Sequence, residues 1–205
     1  MQLSLPFLLS LLPLTLSQPL SPRQSCPPLE LLFARGTAEI PKLGILGGPF
    51  GKALSAAIPG AMTTGIDYPA SNFITSPPKG VEWVTSYMTE KGASCPQTKF
   101  VIAGYSLGSF VVHQLAEGIT PELRQKIVAA GVFGDPTRAP FGEIYGERGY
   151  PVQNEGTDVF DVCGTIDTIC GTDSNGPTGG HITYGINGAV QDVSAFIAQR
   201  LAAYA

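Results

Sequence analysis

Apolar residues along this chain fall into two alternating kinds of pattern, short unbroken runs and helical stripes. Leu29–Ala34, Ala61–Ile66, Lys99–Ala103, Ile127–Phe133 and Val159–Val162 read as strands. Gly47–Ala57, Pro78–Lys91, Leu107–Glu117 and Ala189–Ala203 read as helices, with a short helical piece at Pro121–Lys126. Runs such as Phe100-Val101-Ile102 and Val128–Phe133 hold no polar side chain. Strands covered on both faces need that composition, because neither face meets water. Strand and helix in alternation predict an α/β domain with a parallel sheet and helices on both faces. One long irregular segment, Pro136 to Thr157, interrupts the pattern, and loops of that length in a compact domain are usually functional or mobile.

The first apolar run lies outside this alternation. Leu3 to Leu16 is apolar apart from Ser4, Ser10 and Thr15, shorter than the ~20 residues a membrane span needs. Pro6 and Pro13 disfavour a buried helix there. Thr15 and Ser17 supply the small residues of a cleavage site, so residues 1–17 read as a signal peptide. Residues 18–25 then form a short leader, and 26–205 a single domain. The rest of the chain offers no second run long enough to span a membrane, so no integral-membrane segment is expected.

Charge narrows the function further. The chain of 205 residues carries 12 Lys and Arg against 16 Asp and Glu, a net charge of −4. No basic stripe is available, which argues against a nucleic-acid partner. Only two histidines are present, His113 and His181, so a His-rich metal site is excluded. The four cysteines, Cys26, Cys95, Cys163 and Cys170, form an even set, as expected of an exported chain held by disulfides. Three connectivities are open. The favoured one joins the near neighbours Cys163 and Cys170 and leaves Cys26 with Cys95. No Cys-x2-Cys spacing suggests zinc.

Gly104-Tyr105-Ser106-Leu107-Gly108 matches G-x-S-x-G, and its context matters more than its letters. An apolar strand runs into it and a helix follows, the setting in which a tight turn lifts a serine above the end of a sheet. The helix N-terminus then aims backbone N–H groups at charge forming beside Ser106. Serine needs a base to take its proton. His113 lies seven residues on, about 10 Å along the helix axis, too far to serve; it reads as a surface or packing residue. His181 is the remaining base. In this architecture the acid falls between serine and histidine in the chain. Asp135, Asp158, Asp161, Asp167 and Asp173 qualify by position. Asp167, inside the Cys163…Cys170 clip, ranks first. Asp135, read mainly as a brace of the turn after the fourth strand, is second, and Asp173, in a Gly/Ser/Asn-rich stretch, third.

Five features together resemble the cutinase family of serine esterases, which includes acetylxylan esterases. They are Cys26, Ala34-Arg35-Gly36-Thr37, the serine pentapeptide, the Cys163…Asp167…Cys170 clip, and His181-Ile182-Thr183-Tyr184-Gly185. The resemblance runs from Cys26 to the last helix. It implies a small single-domain α/β-hydrolase with a five-stranded parallel sheet and no large lid. It implies Ser106 as nucleophile, His181 as base and Asp167 as orienting acid. Backbone N–H groups of Thr37 and Leu107 would form the oxyanion hole, with the Thr37 hydroxyl assisting, and the pairing Cys26–Cys95 with Cys163–Cys170 follows.

Two departures qualify the substrate. Cutinases usually have Gln where Leu107 stands; the backbone can still donate there, but a side-chain hydrogen bond is lost. The segment Gly171–Gly180 is polar and reads as flexible, where cutinases acting on waxy polymers tend to be apolar. Tyr68, Phe73, Ile74, Phe141, Ile144 and Tyr145 are the other candidates for an apolar rim. The expected activity is hydrolysis of carboxylic esters, of cutin or other polyesters and of short-to-medium acyl chains, through an acyl-enzyme and without metal or cofactor. The expected partner is an ester substrate, including an insoluble polymer surface, met by a secreted, monomeric enzyme. The alternatives are an acetylxylan-type deacetylase and a non-catalytic secreted binding protein on the same scaffold.

Overall fold

The structure, a computed structural model, describes residues 26–40, 42–138, 148–171 and 173–204. The proposed leader, and Phe141, Ile144 and Tyr145 of the candidate rim, lie outside the described residues. Strands β1 (Leu29–Ala34), β2 (Met62–Gly65), β3 (Lys99–Tyr105), β4 (Ile127–Phe133) and β5 (Val159–Val162) form one parallel sheet in the order β2-β1-β3-β4-β5. Helices α1 (Gly44–Ala57), α2 (Ser76–Ser94), α3 (Gly108–Gly118), α4 (Pro121–Arg124) and α5 (Ala189–Ala203) connect and close it. The expected strand and helix set is present. The ends of α1 and α2 extend beyond the expected bounds, because glycine and the Ser76-Pro77-Pro78 run are tolerated in a first helical turn.

Side chains alternate across the central strands. Leu32 and Ala34 of β1, with Phe100 and Ile102 of β3, face a core completed by Val84 and Met88 of α2 and by Val111 and Leu115 of α3. Leu31 and Phe33, with Val101 and Ala103, face a second core under α1 and α5. There Phe50 of α1 meets Phe133 edge-on at 5.4 Å between centroids. Both faces are therefore sealed, which explains strands without polar alternation.

The strand order sets the location of the site. From β1 the chain crosses to β2 on one side and later to β3 on the other, so the connections diverge between β1 and β3. Such a switch point leaves a crevice at the carboxyl ends of those strands. The loop carrying Thr37 leaves β1 there, and Ser106 follows the last residue of β3.

Two disulfides are present, Cys26–Cys95 and Cys163–Cys170, with Cα separations of 5.5 and 5.8 Å. The first ties the start of the described chain to the end of α2. The second closes a seven-residue separation just past β5.

Candidate active site

Ser106 sits at the sharp corner between β3 and α3 with φ of 53°, a left-handed backbone that costs a non-glycine residue roughly 1–3 kcal/mol. The corner is this tight because its flanks are glycines. A Cβ on Gly104 would stand 2.3 Å from the Gly108 carbonyl oxygen, and one on Gly108 would stand 2.1 Å from that of Ala34. The Ser106 N–H donates to Phe133 O across β4 at 3.0 Å, fixing the corner to the sheet. Among the described residues, neither the Thr37 nor the Leu107 N–H has a hydrogen-bond partner, and both are backbone donors near this corner. The Leu107 side chain is fully buried in the core shared with α2 and α3. The residue that departs from the cutinase pattern thus contributes packing instead of a polar contact.

The structure brings His181 and Asp167 together. His181 Nδ1 lies 2.8 Å from Asp167 Oδ2. An ionised carboxylate only accepts, so the proton sits on Nδ1 and the Nε2 lone pair is left for a substrate-side proton. Asp167 is buried, Oδ1 takes the Ile169 N–H at 2.9 Å, and its own N–H donates to Gly164 O at 3.0 Å. The disulfide that closes this turn confines both ends of it. Burial pushes the Asp167 carboxyl up, but hydrogen bonds from His181 and Tyr184, with the charge of His181, outweigh it and hold it below the usual carboxylate range.

Elements flanking Ser106 on either side reach the histidine. The ring of Tyr105 lies 5.0 Å from that of His181, and its hydroxyl donates to His181 O at 2.9 Å. On the other side, Gly134 follows the Phe133 carbonyl that holds Ser106. A Cβ there would lie 2.7 Å from His181 Nδ1 and 2.8 Å from Asp167 Oδ2.

Three contributors were given no role by the sequence, although two of them lie inside the quoted motifs: Tyr105, Gly134 and Tyr184. Tyr184 is 1% exposed; its hydroxyl donates to Asp167 Oδ2 and accepts the Gly164 N–H at 3.0 Å. Burial, then the bond to Asp167, pushes the Tyr184 phenol well above its ordinary value, so it remains a donor. Its place three residues after the histidine is the one hint the sequence held.

The other aspartates are engaged elsewhere. Asp135 lies 3.0 Å from His113 Nε2, takes the Thr137 N–H at 2.9 Å and pairs with Arg148 Nε at 3.1 Å, so it braces its turn. Asp158 binds Arg200 at 2.7 Å and the Tyr204 hydroxyl at 2.5 Å. Asp161 pairs with Arg148 and Arg138, and the Asp173 carbonyl accepts from Arg138 at 2.7 Å. His113 takes the packing side of its surface-or-packing reading: it is buried and hydrogen-bonded through both nitrogens. Its Nδ1 faces Gly149 O at 2.8 Å, so neither nitrogen is available as a base.

The surroundings revise the rim. Tyr68 is buried, and its hydroxyl donates to Arg35 O, so it lines no rim. Ile74 and Phe73 are exposed, with Phe73 resting on Phe110 at 5.5 Å. Around His181 the surface is more apolar than expected: Ile182 is 75% and Ile186 86% exposed, Ile45 in the first turn of α1 joins them, and Ile166 lies against neighbouring Gly180. A cavity of about 340 Å³ between Ile45, Pro49, Tyr105, His181 and Ile186 adjoins them. The polar segment before His181 is also tied down, not loose. Asn175 Oδ1 takes the Cys163 N–H at 2.9 Å, its Nδ2 donates to Asp161 O at 2.5 Å, and Gly176 N donates to Cys163 O at 2.8 Å. Among the described residues no group of three or more His, Cys, Asp or Glu could hold a metal ion.

The cutinase family model matches residues 25–201. The chain is 34% identical to a cutinase of Kineococcus radiotolerans over 85% of its own length and 62% of that protein's, so it spans less than two thirds of that relative. It is 37% identical to a Botryotinia fuckeliana cutinase, covering 80% of the chain and 79% of the relative. A Monilinia fructicola cutinase is 35% identical, covering 94% of each. Among solved structures, a Trichoderma reesei cutinase in complex with a phosphonate inhibitor superposes with a TM-score of 0.69 at 28% identity, over 86% of this chain and 77% of that one. The catalytic core of an acetylxylan esterase from Trichoderma reesei shares the fold, with a TM-score of 0.64 at 24% identity, over 86% of this chain and 100% of that one. A Ser-bearing corner, a half-buried His181 bonded to a buried Asp167 and a family match over nearly the whole described chain agree, and the chain belongs to the cutinase family.

Proposed function

We propose that this protein is a secreted serine esterase that cleaves carboxylic esters through an acyl-enzyme. Ser106 attacks the ester carbonyl while His181 Nε2 takes its proton. Asp167 holds the tautomer and steadies the imidazolium. The Thr37 and Leu107 N–H groups, with the Thr37 hydroxyl, meet the oxyanion, each donor being worth roughly 3–4 kcal/mol of barrier. His181 then protonates the leaving alcohol, and water repeats the cycle on the acyl-Ser106. The observation that carries this reading is the 2.8 Å bond from His181 Nδ1 to an Asp167 held by Tyr184 and the Ile169 N–H, together with a Ser106 in a left-handed corner whose preceding residue, Tyr105, contacts His181.

The natural substrate we favour is an aliphatic polyester such as cutin, along with soluble esters of short to medium acyl length. Support comes from the exposed isoleucines. Ile45, Ile182 and Ile186 line the cavity beside His181, with Ile166 against neighbouring Gly180, and exposed apolar groups clustered next to the candidate base suit an apolar surface. The second reading, release of acetate from an acetylated polysaccharide, draws on the polar 171–180 segment. Rates on p-nitrophenyl acetate, butyrate and palmitate, on a polyester film and on acetylated xylan separate the two. Polymer release with a butyrate optimum is expected; acetate-only activity would give the second reading the substrate. Ser106→Ala is expected to remove activity, and retention of it would overturn the mechanism. For secretion, N-terminal sequencing of the exported protein is expected to begin at Gln18. Sedimentation is expected to report a monomer.

A further inference from the structure

The loop between β1 and α1 carries Thr37, and one side chain, that of Glu39, bonds to the backbone on both sides of it. Glu39 Oε2 accepts the Gly36 N–H at 2.6 Å, and Oε1 accepts the Ile45 N–H at 3.0 Å. One carboxylate therefore pins the residue before Thr37 to the first turn of α1. Space around it is fully used: a Cβ on Gly44, whose φ is 57°, would stand 2.2 Å from Glu39 Oε2. The backbone of Glu39 is held as well, since Arg35 Nε donates to Glu39 O at 2.7 Å. On the far side of Thr37, Ala38 has φ of 57° and its N–H donates to Ala70 O at 2.7 Å. Both neighbours of Thr37 thus have their amides committed, and the Thr37 N–H between them has no partner among the described residues. Gly36 lies against the Tyr105 ring, 3.0 Å from its would-be Cβ, so this loop abuts the Ser106 corner.

We propose that Glu39 is a positioning residue for ester hydrolysis, clamping the Gly36 and Ile45 amides so that the Thr37 N–H stays aimed at the oxyanion. The proposal rests on the esterase reading above. Its physical basis is that an oxyanion donor contributes only when its direction is set before the reaction begins. A carboxylate near a forming oxyanion is electrostatically unfavourable, so the residue's presence there needs a compensating geometric gain. Two short charge-assisted bonds to backbone N–H groups supply that rigidity. The opposition between charge and geometry makes the proposal decidable.

The experiment compares wild type, Glu39→Gln and Glu39→Asp on p-nitrophenyl butyrate, with rates expressed per active site titrated by a phosphonate. Gln removes the charge and presents an NH2 group to one of the two amides; Asp keeps the charge but is too short to span both. The expected result is a fall in kcat of about 10- to 100-fold in both variants, a fraction of the 10²–10³ that loss of a whole donor brings. KM is expected to change less than twofold. A kcat per titrated site equal to wild type in either variant, even with a lowered Tm, would make Glu39 merely structural and overturn the proposal. A rise in kcat in Glu39→Gln would also overturn it, since relief of charge would then outweigh geometry. Ser106→Ala measured alongside keeps the two readings apart. Activity surviving in that variant defeats the esterase mechanism itself, whereas its loss with normal Glu39 variants defeats only the positioning role.

Discussion

His181 Nδ1 and Asp167 Oδ2 stand 2.8 Å apart, and the backbone of Gly134 packs against both atoms. The pair is separated by 14 residues in the chain, yet the element that presses them together arrives from β4. Gly134 has φ of 57°, and its missing Cβ leaves the space that the two side chains occupy.

Gly134→Ala is therefore expected to damage catalysis more than stability. The new methyl would meet His181 Nδ1 at 2.7 Å and push the imidazole from the carboxylate. The left-handed backbone adds a cost of about 1–2 kcal/mol for a residue with a Cβ. A fall in kcat/KM of about 100-fold, with Tm lower by only a few degrees, is the outcome to look for in paired kinetics and thermal melts. Wild-type kinetics in this variant would show that the His–Asp contact can relax without consequence.

Tyr184→Phe tests the donor behind the acid. The substitution removes a hydrogen bond from Asp167 Oδ2 and leaves the Gly164 N–H without its acceptor. One of the bonds that lower the Asp167 pKa is lost, so that pKa is expected to rise. A drop in kcat of about tenfold with little change in KM is expected from steady-state kinetics, as the orientation of His181 loosens. An unchanged kcat would remove Tyr184 from the positioning set.

Acid should destabilise the fold through its paired carboxylates. Burial works to raise the Asp135 carboxyl, but the hydrogen bond and charge of His113 and the bonds from Thr137 prevail and hold it below its usual value. A carboxyl with a depressed folded pKa stabilises the protein fully above its unfolded value, near 3.9, and loses that stability as pH falls through the folded value. Urea unfolding at pH 6, 5, 4 and 3 is expected to show a plateau down to about pH 4 and a decline below it. Asp135→Asn should be less stable at pH 6 and lose less on acidification. A parallel decline in both proteins would assign the acid lability to other groups.

The two disulfides should separate stability from activity. Cys26–Cys95 spans a sequence separation of 69, and in the chain-entropy model its removal costs about 4 kcal/mol. It lies far from the His–Asp pair, so Cys26→Ser/Cys95→Ser should keep wild-type kcat below its lowered Tm. Cys163–Cys170 closes a separation of seven, about 2 kcal/mol in the same model. It confines the turn that carries Asp167, so Cys163→Ser/Cys170→Ser should lose kcat although it loses less stability. Equal kcat in the two double variants, read below both melting points, would contradict this division.

The sheet, the serine corner, His181 as candidate base and Asp167 as the leading candidate acid were all legible in the sequence. Continuous apolar strands, a strand running into Gly104–Gly108, and a Cys-closed turn around Asp167 are local patterns, and local physics is legible in one dimension. The count of two histidines, with His113 too far along its own helix, left His181 by geometry alone. The remaining contributors depend on contacts between segments remote in the chain. No pattern near Gly134 says that β4 will press it against residues 33 and 47 positions later. Nothing near Tyr184 says that its hydroxyl will meet Asp167, or near Glu39 that its carboxylate will bridge two amides around Thr37. The segment before His181 read as loose because its composition is polar, yet Asn175 and Gly176 tie it to β5 and Cys163. Composition sets what a side chain can bond to; only the folded arrangement sets which partner is within reach.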